Sequence, residues 1–333
     1  MSADEKRDAS RRRYEETANP EIRNVEAAAI GGATEERRPD RLTLAAFALL
    51  VLIGAGNAVA VRISNFDLPP FWSAGVRFGV ASLVFWMVVL VRRVSLPGGR
   101  ALAGVLAYGV LSFGLSYGLL YWALLEVQAG VAQIIVALIP LLTIFFARAH
   151  GIEHFRFRGL LGALIATCGI AVAFGEQLSA NVPLLPLLAV LLGAACFAEA
   201  GVVVKLFVRS HPAATNAVGM LVGALLLLAF SLAVGETWVL PATLDTWLAS
   251  IFLVASSVVV FALFLFVISR WTASAASYQF VLLPFTTVLL AAWLLNEQIT
   301  PALLIGGGLV LVGVWVGALA HARNRSTAIP KAR

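Results

Sequence analysis

Ten long apolar segments, separated by short polar joints, follow one another from residue 42 to residue 320. A helix needs about 20 mostly apolar residues to cross a bilayer, and each segment has about that length. The pattern therefore predicts an all-α integral membrane protein with ten transmembrane helices, at residues 42–61, 70–91, 101–124, 128–148, 158–175, 184–206, 213–234, 247–268, 272–294 and 301–320.

The joints between the segments carry residues that begin or end helices. Proline lacks a backbone N–H and glycine tolerates a left-handed backbone, so both mark helix boundaries. Thr300 followed by Pro301 is typical of an N-cap with proline in the first turn. The other joint residues of this kind are Pro69, Pro70, Pro97, Gly98, Gly99, Pro183, Pro212 and Pro241.

Charge differs between the two sets of alternating joints. With the N-terminus in the cytoplasm, the cytoplasmic joints and the C-terminal tail hold 13 of the 15 Lys and Arg residues beyond residue 41, and the opposite side holds six of the eight acidic residues. Positive charge accumulates on the cytoplasmic side of membrane proteins. We therefore expect a multi-pass protein of the inner or plasma membrane with both termini in the cytoplasm.

Composition narrows the class of protein further. Only 13% of the 333 residues are charged, while 60% are apolar, and a soluble domain has about 25% charged residues. The basic residues also lack the clustering that nucleic-acid binding needs, and no nucleic-acid partner is expected. Nineteen charged residues of both signs lie in the first 41 positions. We predict disordered cytoplasmic tails at residues 1–41 and 321–333.

The second half of the chain repeats the first. A shift of 144 residues places the pattern P-x12-E-x8-G-x6-G of the fourth and fifth segments on the ninth and tenth, with 11 identities in 44 positions. We predict repeats at residues 42–176 and 182–320. Because each holds five spans, the two must insert with opposite orientation, as in many secondary carriers. The matched residues are Pro140, Glu153, Gly162 and Gly169 with Pro284, Glu297, Gly306 and Gly313.

Three stretches make the chain resemble a known family. They are LLNEQITPALLIGGGLVLVGVWV at residues 294–316, its weaker copy HGIEHFRFRGLLGALIATCGIAV at 150–172, and GNAVAVRISNFDLPPFWSAGVRF at 56–78. Together they are similar to the EamA-type transporters of the drug/metabolite transporter superfamily. The resemblance implies ten spans in two EamA-like repeats and translocation through a central basket of helices. One departure is Ala55-Gly56, which stands where the family often has Trp-Gly.

Ionisable residues inside membrane spans are candidates for function. Arg77 lies in the second segment and Glu199 in the sixth, where a buried charge is costly unless it faces protein or water. We expect both to face a cavity, Arg77 to bind substrate, and Glu199 to bind substrate or carry a proton. The alternatives are snorkelling or pairing with Asp67 for Arg77, and a structural role or a pair with Lys205 for Glu199.

Neutral polar groups and helix interruptions complete the candidate site. Pro140 and Pro284, near the middle of corresponding segments, each remove a backbone hydrogen bond and are expected to kink their helices. Paired interruptions of this kind point to a transport site. The substrate-binding candidates that offer hydrogen bonds are Asn57, Tyr117, Gln133, Tyr278 and Gln279.

The repeat motif residues are assigned a structural role. Glu153 and Glu297 precede helices and are expected at turns or helix N-termini, and the four motif glycines are expected to pack. His150 and His154 flank Glu153 without a third ligand, so no metal site is predicted. No nucleotide-binding loop or catalytic motif occurs, and no cofactor is expected.

These features predict a secondary transporter, and not an enzyme. We expect alternating-access export of a small metabolite or amphiphilic compound, with protons as a candidate coupling ion and a monomer or homodimer as the working unit. Arg77 and Glu199, opposite in charge, suit a zwitterion. The alternatives are a membrane-embedded enzyme acting on a lipid-linked substrate and a non-transporting membrane scaffold.

Overall fold

The computed structural model of the protein describes residues 39–127, 129–154, 157–175, 184–207, 210–295 and 301–319. Almost all of both predicted tails and the motif residue Glu297 lie outside these ranges, as does the side chain of Arg62. Within the described ranges the regular structure is helical, and helices occupy each of the ten apolar segments.

In the first half of the chain, the described residues form seven α-helices and a π-helical segment. α1 (Arg41–Ser64) and α2 (Pro70–Val91) are continuous. The third segment comprises α3 (Gly99–Tyr108), the π-helical Gly109–Leu115 and α4 (Ser116–Ala123). The fourth is broken into α5 (Ala129–Val136) and α6 (Ile139–Ala149), and the fifth is α7 (Phe157–Phe174).

The second half follows the same order. α8 (Leu184–Phe207), α9 (Pro212–Val234) and α10 (Leu244–Arg270) are continuous. The ninth segment is divided into α11 (Ala273–Ser277) and α12 (Gln279–Leu295), and the tenth comprises α13 (Pro301–Val314) with the π-helical Trp315–Leu319.

Local sequence explains where several helices begin and end. Asp40 accepts a hydrogen bond from the Thr43 N–H at the start of α1. Pro70 and Pro212 occupy the first turns of α2 and α9, where no N–H is needed. Gly235 ends α9 with a φ of 78°, in the left-handed region that glycine adopts without strain.

The outer faces of the helices are apolar. Leu83, Leu90 and Ile251 are each more than half exposed, at 64%, 71% and 61%, and surfaces of this kind indicate contact with lipid. Among the described residues, seven helices are long and apolar enough to cross a membrane, and two shorter apolar helices cover residues 157–173 and 304–319.

The fifth and tenth segments meet through the motif glycines. A Cβ on Gly162 would lie 2.6 Å from the Gly313 carbonyl oxygen, and one on Gly169 would lie 2.6 Å from that of Gly306. Since residue 162 faces 313 while 169 faces 306, α7 and α13 run antiparallel. The contact also has two-fold symmetry, because each glycine of one repeat meets the non-equivalent glycine of the other.

The second and seventh segments pack in the same antiparallel manner. Gly75 contacts Leu228, and further along α2 the Ser82 hydroxyl donates to the Ala217 carbonyl at 2.7 Å. These helices also occupy matching places in the two repeats. The core of the protein is therefore built largely from pairs of helices that come from different repeats.

The two motif prolines have different local surroundings. α5 ends at Val136, and Pro140 is the second residue of α6, so it follows a break in the helix. Pro284 instead lies inside α12. The fourth span is therefore broken just before Pro140, whereas the kink expected at Pro284 stays a prediction.

Candidate substrate cavity

Arg77 lies two turns into α2, with only 5% of its surface exposed. Its helix is fixed at the N-terminus by Glu236, whose carboxylate accepts the N–H groups of Phe71 and Trp72 at 3.1 and 2.8 Å. The Arg77 Nε donates to the Ser257 hydroxyl at 2.6 Å. The arginine is thus held from α10, in the other half of the chain.

Arg77 lines a cavity of about 730 Å³ between the two halves of the chain. This volume is within the range of small-molecule sites, roughly 300–1,000 Å³. Five of the sequence-predicted residues contribute to its wall: Asn57, Arg77, Tyr117, Gln133 and Gln279. These five residues come from five different apolar segments, which the fold brings to one cavity.

Aromatic side chains form much of the remaining wall. The Tyr117 ring lies 5.8 Å from Tyr121 and 5.5 Å from Phe197, and Phe197 lies 5.3 Å from Phe280. Phe261 lies on the same wall. Most of these rings were not predicted as site residues. Phe261 follows Ser257 by four residues and so shares a helix face with the partner of Arg77, a relation that becomes visible only once the helices are placed together.

The third segment contributes to this wall through an irregular helix. Ser112, in the π-helical stretch Gly109–Leu115, lines the cavity. Single-turn π segments are frequent at functional sites. Here the segment accompanies close packing on α9, where a Cβ on Gly223 would collide with Phe113. Nothing in the local composition distinguishes the π segment from an ordinary apolar helix.

Glu199 lies outside this cavity wall. One carboxylate oxygen of Glu199 is 3.3 Å from the Nε2 of His150, and the Nδ1 of the same ring is 2.9 Å from the Phe146 carbonyl oxygen. The other carboxylate oxygen is buried without a hydrogen-bond partner among the described residues. The partner of Glu199 is thus His150, where the sequence had suggested Lys205.

Tyr278 also lies away from the cavity, so its assignment as a cavity residue is corrected. It is 1% exposed, and its hydroxyl donates to the Gly159 carbonyl at 3.0 Å. A Cβ on Gly317 would collide with this hydroxyl. Tyr278 therefore lies in the contact between the fifth, ninth and tenth segments, where its size and hydroxyl are used for packing.

Glu153 binds the start of α11. Its carboxylate accepts the N–H groups of Ala273 and Ser274, at 2.7 and 3.3 Å, and the hydroxyl of Ser274 at 2.5 Å. A carboxylate at this position satisfies N–H groups that have no partner within the helix. The motif glutamate of the first repeat therefore joins the first repeat to the second.

Residues at one end of the helices line the cavity, whereas those at the other end do not, and the two are called the open end and the closed end. Asn65 and Phe66 follow the end of α1 and line the cavity, and Phe66 is 78% exposed. At the start of α1, Asp40 pairs with Arg270 at 3.3 Å. Nearby, Phe47 contacts Trp271 edge to face at 5.5 Å between ring centroids.

Asp67 holds the loop after α1 at the open end. Its carboxylate accepts the Thr246 hydroxyl at 2.7 Å and the Thr243 N–H at 3.2 Å. These hydrogen bonds, chiefly that from Thr246, keep the pKa of Asp67 below its ordinary value. Asp67 therefore contacts α10, whereas the sequence had offered it as a partner for Arg77.

Electrostatically, the cavity wall described here has one formal charge. Among its lining residues Arg77 is the only charged side chain. No group of three His, Cys, Asp or Glu side chains suited to a metal occurs within the described ranges. The cavity can offer a guanidinium, neutral amides and hydroxyls, and aromatic faces to a ligand.

Comparison with known proteins identifies the family. The sequence profile of the EamA-like transporter family matches twice, at residues 41–175 and 184–318. The chain belongs to the EamA-like transporter family. It is therefore a membrane transporter with two EamA repeats, as the sequence resemblance implied.

Individual relatives of this EamA protein agree with the assignment. The uncharacterized inner membrane transporter YedA of Escherichia coli K12 is 28% identical over 81% of this chain and 88% of YedA. The uncharacterized transporter YoaV of Bacillus subtilis is 24% identical over 83% of this chain and 96% of YoaV. A solved crystal structure shares the fold, with a TM-score of 0.72 and 21% identity over 84% of this chain and 98% of that one. The EamA protein is thus a multi-pass inner membrane protein.

Proposed function

We propose that this EamA protein is a secondary exporter of a small metabolite or amphiphilic compound and works by alternating access. The observation that carries the proposal is a ligand-sized cavity with a buried arginine in its wall, whose lining reaches only one end of the helices. A static pore would be open at both ends. A carrier binds its substrate from one side at a time.

The architecture we propose is ten spans in two inverted repeats, at residues 42–176 and 182–320, between cytoplasmic tails at 1–41 and 321–333. The antiparallel, two-fold contact of α7 with α13 supports inversion, because equivalent helices related by a two-fold axis in the membrane plane run in opposite directions. With both termini cytoplasmic, the open end faces away from the cytoplasm. The cavity lies within one chain, so a monomer suffices for transport.

We infer further that Glu199 and His150 hold a coupling proton. The Nδ1 of His150 faces a carbonyl, which accepts only, so this nitrogen must carry hydrogen. The contact between Nε2 and Glu199 then needs one more proton, bound either to the ring or to the carboxyl. Loss of that proton would leave a partly buried carboxylate facing a lone pair. Inward proton flow through this pair would drive export.

Reconstitution tests the proposal. Liposomes containing the protein and a panel of labelled metabolites of differing charge should show saturable flux of at least one compound, and an imposed proton gradient should drive its accumulation. Glu199→Gln should abolish accumulation but preserve exchange, whereas the exposed Glu126→Gln should behave as the wild type. Proton-driven accumulation by Glu199→Gln would overturn the proton assignment. Absence of flux for the whole panel would overturn the transporter proposal.

A further inference from the structure

We propose that the cavity selects an organic monoanion, with the substrate carboxylate bound to Arg77 and an apolar, preferably aromatic, body against the ring of aromatic side chains. This inference rests on the proposed function and names the substrate class of the same site. It also replaces the zwitterion suggested by the sequence, since Glu199 does not line the cavity wall.

Arg77 has the hydrogen-bonding capacity to bind a carboxylate. A guanidinium has five N–H donors in a planar fork that fits a carboxylate. Arg77 donates through Nε to Ser257 at 2.6 Å and also interacts with the hydroxyl of Tyr121. Ser257 is fully buried and Tyr121 lies in the wall, so the side chain is held in place and the remaining donors of the fork are available to a ligand. The head group is thus preorganised for an anion.

The charge of Arg77 also favours an anionic substrate. Within the described part of the chain no carboxylate forms an ion pair with Arg77, and the two pairs that the structure contains are His150 with Glu199 and Arg270 with Asp40. A buried cation without a counterion is costly. A substrate anion supplies that counterion when it binds. An amine would instead meet a positive charge with no acid in the described wall to offset it.

The rest of the cavity wall is aromatic or carries neutral amides, and it favours an apolar body with a single negative charge. Tyr117, Tyr121, Phe197, Phe261 and Phe280 present aromatic surface, which favours an apolar body over a small hydrated ion. The amides Asn57, Gln133 and Gln279 offer hydrogen bonds without charge. A single arginine among aromatic rings matches one negative charge. A phosphate dianion, strongly hydrated and doubly charged, suits such a wall poorly.

A series of indole compounds of nearly constant size tests the charge preference. The probes are indole-3-propanoate, its neutral amide, tryptamine and tryptophan, and the measurements are the thermal midpoint of the purified protein and flux in liposomes. We expect indole-3-propanoate to bind about tenfold or more tightly than its amide, the difference typical of a charge-assisted hydrogen bond. Tryptamine and tryptophan should bind more weakly than indole-3-propanoate.

Variants of Arg77 connect the preference to the site. Arg77→Gln should remove most of the preference for the anion, and Arg77→Lys should restore part of it. Ser257→Ala, which leaves the charge in place, should weaken anion binding by about threefold and serves if Arg77→Gln does not fold. Arg92→Gln, an exposed arginine at the end of the same helix, should match the wild type.

The possible results separate this inference from the proposed function. Equal binding of all four probes, tighter binding of tryptamine, or an anion preference that survives in Arg77→Gln would each overturn the monoanion assignment while leaving the protein a transporter. Absence of both binding and flux for every probe, together with no flux in the metabolite panel, would overturn the proposed function and this inference with it.

Discussion

Two pairs of corresponding segments differ in how closely they follow the symmetry of the repeats. Where α7 crosses α13, the motif glycines of both repeats meet in equivalent ways, 162 against 313 and 169 against 306. In the fourth and ninth segments the motif prolines match in sequence, but the helix breaks do not. The fourth breaks at residues 137–138, and the ninth at Tyr278, which corresponds to residue 134.

This difference separates a rigid part of the molecule, the contact of α7 with α13, from the fourth and ninth segments, whose arrangement depends on the conformational state. A two-fold contact made of backbone on backbone has little room to change, and it serves as a frame. The unequal fourth and ninth segments accompany a cavity that is closed at one end only. Exchange of the two arrangements between the repeats would move the opening to the other end.

The largest expected effect comes from disrupting the symmetric contact. Gly313→Leu would place a Cβ 2.6 Å from the Ala166 nitrogen and the Gly162 oxygen, backbone atoms that cannot rotate away. We expect most of the protein to be lost as aggregate in size-exclusion chromatography. Gly308→Leu is the matched control in the same helix, because no atom lies within 4 Å of the Cβ position there. Equal losses for the two variants would contradict the frame.

A smaller effect is expected from the loss of Glu153, which stabilises the start of α11 in the ninth segment. Glu153→Ala leaves the N–H groups of Ala273 and Ser274 without their carboxylate. We expect a loss of about 1–2 kcal/mol in stability, comparable to the loss of a side chain that accepts N–H groups at a helix N-terminus, measured by thermal unfolding in detergent. The exposed Glu126→Ala should change the midpoint much less. A Glu153→Ala midpoint equal to that of the wild type would show that this contact contributes nothing.

Loss of the hydroxyl should have opposite effects at Tyr278, in the contact between the repeats, and at Tyr117, in the cavity wall. Tyr278→Phe removes the hydroxyl bound to the Gly159 carbonyl and should cost about 1 kcal/mol of stability without changing substrate affinity. Tyr117→Phe, in the cavity wall, should lower affinity by a few-fold at nearly constant stability. Thermal unfolding and flux at varied substrate concentration separate these outcomes, and a shared pattern in both variants would contradict the placement of the cavity.

The smallest effect concerns the open end and depends on pH. Because its hydrogen bonds lower the pKa of folded Asp67 from the ordinary value of 3.8, the contact with Thr246 stabilises the fold fully above that value. The stabilisation is lost as the pH falls through the lowered pKa. The thermal midpoints of the wild type and Asp67→Asn should therefore differ by a constant amount from pH 7 to pH 5 and converge only below pH 3.8. Convergence near pH 6 would contradict this assignment.

The sequence predicts the contact of α7 with α13 better than it predicts the unequal helix breaks in the fourth and ninth segments. Hydropathy located the apolar segments in which the described helices lie, and the repeat identified the glycines that join α7 to α13. The burial of Tyr278 against Gly317 and the pairing of Glu199 with His150 were not predictable in this way. They depend on how segments from different repeats approach each other in space, and composition along one helix does not specify that approach.

The cavity shows the same division between local and long-range information. Arg77 was identified because an arginine inside an apolar helix needs a polar environment. Its partner Ser257 lies 180 residues away, and a serine in an apolar helix is unremarkable by itself. Phe197 and Phe280 were likewise indistinguishable from lipid-facing aromatics until the helices were placed together.

Two distances measured in the same protein test alternating access most directly. Spin labels at His154 and Ser269 report on the closed end, and labels at Phe66 and Leu125 report on the open end, each pair in a Cys168→Ser, Cys196→Ala background. The account predicts that Glu153→Ala shifts the distance distribution at the closed end towards longer values and that at the open end towards shorter ones. A longer distance at the closed end with no change at the open end would contradict it.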